Sequence, residues 1–272
     1  MKSFFIQIKK VFEKKVIKIE KRVRFVASAL VLGAVLFLST FFLFEKALIF
    51  IAVFIMLGYF VTYFSILEGI EKIEWLTLFI MPIILTVSFY LFYFLFPIRW
   101  LTRLPLIIFY LISIYAVLLS ANIFNVGVEK SLQLYRAAFS INFFLQTIVI
   151  FLFSNALFSF RFNFFINVVI VFLLVLLLAF QLIWSVKLDL VIGRKTVIHA
   201  LFIALALAEI TLVGSFVPVK STIFALFLAS SYYSLTGFVY NYLDQRLFKE
   251  TLREFISVWI VVVFITLLAL RW

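Results

Sequence analysis

Residues 164–186 read FFINVVIVFLLVLLLAFQLIWSV, a run of 23 without a charged side chain. At the 1.5 Å rise of an α-helix the run extends about 34 Å, enough to cross a hydrocarbon core of roughly 30 Å. Eight further apolar runs flank it, at 25–44, 47–67, 76–97, 104–126, 138–160, 196–217, 221–241 and 254–270. The chain is therefore expected to be all-α, a polytopic transmembrane helix bundle of about nine spans, or eight if the shortest run, of 17 residues, is discounted.

Composition agrees with that pattern. Of 272 residues 67% are hydrophobic and 13% charged, whereas soluble domains hold roughly 45–50% apolar and about 25% charged residues. Only Glu45 and Lys46 separate the first two runs, and little beyond residues 161–163 separates the fifth from the sixth. Connections that short make neighbouring helices antiparallel and leave no room for a soluble catalytic domain.

Charge sets the orientation. The net charge of +12 arises from 24 Lys and Arg against 12 Asp and Glu. In a soluble protein this balance suggests nucleic acid; in a chain built of membrane spans it points instead to anionic lipid head groups. With a cytoplasmic N-terminus, 18 of the basic residues fall on the inside and six on the outside, as the positive-inside rule requires. Nine of them lie in residues 1–24, where Phe5, Ile8, Phe12, Val16, Ile19 and Val23 recur every three or four positions. Two regions follow: a basic amphipathic interfacial helix over 1–24 and a transmembrane helical domain over 25–272.

Few polar side chains interrupt the spans. Glu209, 13 residues into the seventh run, is the clearest intramembrane acid, and a charged acid at mid-membrane costs at least about 2.5–3.5 kcal/mol. Helical rise brings Ser230, Ser231 and Tyr233 of the eighth run level with it. Two readings stay open: a polar site for proton or ion movement, or a Glu209 hydrogen bond to an eighth-span hydroxyl that holds the hairpin together. Ala200, Ala204, Ala208 and Thr211 on the seventh run, with Ala225, Ala229 and Thr236 on the eighth, are expected to bring those two helices close. Asn142 and Gln146 share one helical face of the fifth run, and Gln181 lies in the sixth. These amides read as interhelical hydrogen-bonding groups.

Cysteine is absent and His199 is the sole histidine, so neither a metal site nor a cofactor is expected. No phosphate loop, nucleophile elbow or zinc-protease motif occurs.

Between the fourth and fifth runs, residues 122–136 read NIFNVGVEKSLQLYR. The basic count puts Asn122, Asn125 and Arg136 at an inner-face connection, with Asn125 and Gly127 suited to ending a helix. The strings NIFNV at 122–126, EKS at 129–131 and LYRAA at 134–138 resemble an uncharacterised family of multi-spanning membrane proteins from small-genome, candidate-phylum bacteria. The resemblance implies a multi-pass protein of the bacterial plasma (inner) membrane and carries no catalytic residues.

The functional expectation is a non-enzymatic membrane scaffold or assembly partner, meeting lipids and a membrane-protein partner. The alternative is a small-solute or ion transporter that uses the intramembrane carboxylate of Glu209.

Overall fold

A computed structural model describes residues 19–42, 44–67, 70–71, 73–97, 99–126, 132–188 and 190–270. Among them are nine helices long and apolar enough to cross a membrane. They are α1 (Lys21–Ser39), α2 (Ala47–Ile66), α3 (Glu74–Tyr93), α4 (Trp100–Val126), α5 (Leu132–Ser159), α6 (Phe164–Lys187), α7 (Arg194–Gly214), α8 (Ser221–Leu243) and α9 (Lys249–Leu268). No strand occurs among the described residues. The protein is thus an all-α polytopic bundle, the architecture that lipid favours because each helix satisfies its own backbone N–H and C=O groups. Of the amphipathic helix expected over 1–24, residues 1–18 lie outside the described residues, and Lys21 and Arg24 belong to the first turn of α1.

Each connection reverses the chain. Odd-numbered helices begin on the face where α1 starts, here called proximal, and even-numbered helices begin on the opposite, distal face. At the distal α5–α6 turn, Arg161 takes the left-handed conformation, φ 54°, and the Asn163 side chain caps α6 by accepting from Phe165 N–H at 3.2 Å. At the proximal end of α6, Leu188 is also left-handed, φ 53°, and its N–H returns to the Trp184 carbonyl.

α3 and α5 form the middle of the bundle. α3 touches α1, α2, α4, α5 and α6, while α5 touches α3, α4, α6 and α8. Glycines mark two close approaches, since a Cβ on Gly33 would meet Leu111 and one on Gly58 would meet Ile83. α6 and α7 pack along each other more extensively than any other pair. Ala200, Ala204, Ala208 and Thr211 are all buried. α7 and α8 are in contact, as the small residues led one to expect, and α7 makes a larger contact with α6. Short connections allow either neighbour, and the stripe itself does not say which one fills it.

Because lipid is as apolar as leucine, helices in a bilayer are held by close packing and interhelical hydrogen bonds. Ser65 donates to Ser28 at 2.7 Å between α2 and α1, and Thr86 and Tyr110 share a bond of 2.9 Å between α3 and α4. On the distal side Arg103 of α4 donates to Tyr93 Oη at 2.9 Å and to the Thr40 carbonyl at 3.2 Å. Its guanidinium also lies 4.5 Å from the Phe41 ring centre and 5.7 Å from that of Trp100. One buried cation thereby joins α3, α4 and the turn after α1. Arg103→Ala is expected to cost about 2 kcal/mol, since hydrogen bonds to charged groups contribute about 1.5–3 kcal/mol. Thermal unfolding in detergent measures it. Arg103→Lys should recover less than half, because an ammonium cannot span both acceptors while stacking on rings.

α9 stands apart. It leans chiefly on α8, and of its residues only Phe255 is buried. The ring of Phe255 lies over Gly237, where an added Cβ would fall 2.4 Å from it. Ser234 donates to the Phe255 carbonyl at 3.1 Å, and Trp259 Nε1 donates to Ser231 Oγ at 3.0 Å.

Candidate functional site

Between α7 and α9, with α8 as its floor, runs a lateral groove of about 930 Å³. Ala206, Ile210 and Val213 form one wall, Ile256, Trp259 and Ile260 the other, and Phe227, Leu235 and Phe238 line the floor. Its few polar side chains are Glu209, Ser231, Ser234, Trp259 and Thr266. All but one are satisfied within the chain: Trp259 donates to Ser231, Ser234 donates to Phe255, and Thr266 donates to the Val262 carbonyl at 2.8 Å. Glu209 is exposed on the groove wall and makes no hydrogen bond or ion pair among the described residues. It sits five residues short of the helix end at Gly214, about 8 Å along the axis.

Of the four residues read as one possible polar site, Glu209, Ser230, Ser231 and Tyr233, the structure brings Glu209 and Ser231 to the same groove. Ser231 does line the groove with Glu209, but its hydroxyl is engaged by Trp259. Ser230 turns back to the Phe227 carbonyl at 2.9 Å. Tyr233 stacks on Phe143, with ring centres 5.0 Å apart, and lies 5.1 Å from Phe255. No eighth-span hydroxyl bonds Glu209. Equal depth was readable from helical rise, but the direction each side chain takes around its helix decided the outcome. His199 is remote from the groove, its Nδ1 lying 2.7 Å from the Lys195 carbonyl.

A second polar group is fully internal. Asn142 Nδ2 donates to Gln181 Oε1 at 3.0 Å. Gln146 Nε2 donates to the same oxygen and, at 3.3 Å, to the Leu178 carbonyl. Tyr232 Oη donates to Gln146 Oε1 at 2.5 Å. All four side chains are buried, and they join α5, α6 and α8 near mid-helix. Tyr232 was not singled out from the sequence, although it lies on the helical face of Ala225, Ala229 and Thr236; that periodicity was the signal for it.

Asn122 and Asn125 lie in the last turns of α4, and Arg136 is exposed in the first turns of α5. The intervening residues 127–131 lie outside the described residues. Beside Arg136, Tyr135 donates to the Ser185 carbonyl and so fixes the start of α5 to the end of α6.

The groove supplies one carboxyl group and apolar walls. Among the described residues that line it there is no second acid, histidine or lysine beside Glu209. Among the described residues no three His, Cys, Asp or Glu side chains gather as metal ligands. These features define a polytopic integral membrane protein with a lateral groove carrying a single carboxyl group. Compared with known proteins, the chain matches no family model, no curated protein and no solved structure.

Proposed function

We propose that the protein is a non-enzymatic assembly partner of the bacterial plasma membrane, and that it receives a transmembrane helix of another protein in the α7–α8–α9 groove. The observation that carries this reading is the position of Glu209, among the described residues the single polar side chain of the groove without a partner of its own. Intramembrane acids almost always face a bundle interior or a partner, because exposure to hydrocarbon is costly. A helix that presents a lysine, arginine or amide at that depth would supply the missing partner, and its apolar side chains would fill the groove. Serines and Trp259 bonded within the chain give a transported ion few ligands, which favours assembly over the transport alternative. The basic residues of 1–24 would hold the cytoplasmic side against anionic lipid.

Complex size in mild detergent tests the reading, alongside ion and proton flux in reconstituted vesicles. Glu209→Ala should release the partner and leave flux at the background of empty vesicles. Glu209→Gln, which keeps a hydrogen-bonding end, should retain part of the complex. Robust flux in wild type that Glu209→Gln abolishes, with complex size unchanged, would replace assembly by transport.

A further inference from the structure

On the distal face, where the α5–α6 and α7–α8 turns meet, lies a smaller cavity of about 260 Å³. Its polar lining comes from Arg161, Asn167, Ser215 and Ser221. Three features of it are unsatisfied. Asn167 is only 8% exposed; its Nδ2 donates to the Phe162 carbonyl at 3.3 Å, and its Oδ1 has no hydrogen-bond partner. The Arg161 side chain is exposed and forms no ion pair or hydrogen bond among the described residues. α8, 23 residues long, starts at Ser221 without a side-chain cap; the Ile223 and Phe224 N–H groups return to the Lys220 carbonyl, and the Ser221 end, which carries the positive end of the helix dipole, lines the cavity.

We infer that this cavity binds the phosphate-bearing head group of a phospholipid, one that carries a hydroxyl or ammonium donor next to its phosphate. The uncapped start of α8 and the Arg161 guanidinium both call for an anion, and backbone N–H groups at a helix start are a recurrent phosphate site. Asn167 Oδ1 calls for the opposite: it accepts only, and because it is buried it gains from a donor on the ligand. A phosphoglycerol or phosphoethanolamine head group carries both parts, whereas phosphocholine carries the phosphate without an N–H or O–H. Phe164 lines the cavity and Phe216 lies 5.7 Å from it, both exposed, which gives the attached acyl chains an apolar surface below the head group. The inference is independent of the partner assigned to Glu209, because none of these polar groups lines the groove.

Native mass spectrometry of the full chain, titrated with phosphatidylethanolamine, phosphatidylglycerol or phosphatidylcholine in detergent, tests it. Ethanolamine and choline lipids have the same net charge, so general attraction to the basic residues does not separate them. Wild type should bind the ethanolamine lipid at least fivefold more tightly than the choline lipid. Asn167→Leu should erase that preference, while Arg161→Ala should weaken both lipids about tenfold and Arg161→Lys should restore part of the loss. Competition by millimolar glycerophosphate or inorganic phosphate would assign the same cavity to a soluble phosphate compound; its absence assigns it to lipid. Equal binding of the two zwitterionic lipids by wild type, or a preference unchanged in Asn167→Leu, overturns the proposal. Unfolding temperatures of the variants within a few degrees of wild type show that the fold is intact, and Asn167→Ala serves in place of Asn167→Leu if the latter fails to fold, since it too removes the acceptor and should erase the preference.

Discussion

Replacing Gln146 with leucine is expected to destabilise the bundle by about 2 kcal/mol, more than a typical polar contact in a membrane protein, which averages about 0.6 kcal/mol. The larger figure comes from what leucine leaves behind. Gln146 stands at the centre of the amide cluster, donating toward Gln181 and the Leu178 carbonyl and accepting from Tyr232. With the amide gone, the Tyr232 hydroxyl has lost its acceptor in a fully buried position, and a stranded buried polar group costs about 1–3 kcal/mol. Adding Tyr232→Phe to Gln146→Leu should recover roughly 1 kcal/mol, because both ends of that bond are then apolar. Reversible unfolding in mixed detergent micelles, run as a double-mutant cycle, measures the coupling. A loss under about 0.5 kcal/mol, within the range of ordinary surface substitutions, would mean that α5, α6 and α8 are held by packing alone.

Gly237→Leu is expected to detach α9. A Cβ at Gly237 falls 2.4 Å from the Phe255 ring, and a leucine adds three further carbons in the same direction. Phe255 is the one buried residue of α9, and the two hydrogen bonds nearby, Ser234 to Phe255 and Trp259 to Ser231, depend on the same approach. Global stability should change little, since most of α9 already faces outward. The local effect should be large: the α8–α9 separation, read from spin labels at positions 226 and 258, should widen and broaden, and the groove should lose its Trp259 wall. Gly237→Ala should show the same change in smaller degree. An unchanged distance distribution in Gly237→Leu would show that α9 is held by something other than this contact.

The spans were legible in the sequence because hydropathy reports length, and length is what a bilayer demands. Their ends were less so. The first span was expected at 25–44, beyond the basic cluster, but α1 starts at Lys21 and buries Arg24, and it stops at Ser39. Phe41 and Phe42 are apolar without being helical. Phe41 leaves the span to stack near Trp100 and Arg103, a role that hydropathy cannot distinguish from membrane burial. Asn142, Gln146 and Gln181 were identifiable as amides in apolar runs, yet their convergence on one oxygen required the packing of three helices. Glu209 shows the limit most clearly. Its depth followed from residue counting, whereas its position at the edge of the buried stripe of Ala200, Ala204, Ala208 and Thr211 put it on the groove wall and not in the hairpin interface. Asn167 had no sequence signal, because an asparagine near a helix start is ordinary.

The assembly reading rests on the groove being occupied at Glu209, and site-specific photo-crosslinking in native membranes addresses that directly. A photoreactive side chain at Val213, on the groove wall, should give a discrete protein adduct that disappears in Glu209→Ala, while the same probe at Ile108, exposed on α4, should give none. A Val213 adduct that persists unchanged in Glu209→Ala, or labelling of lipid alone at both positions, would contradict the account.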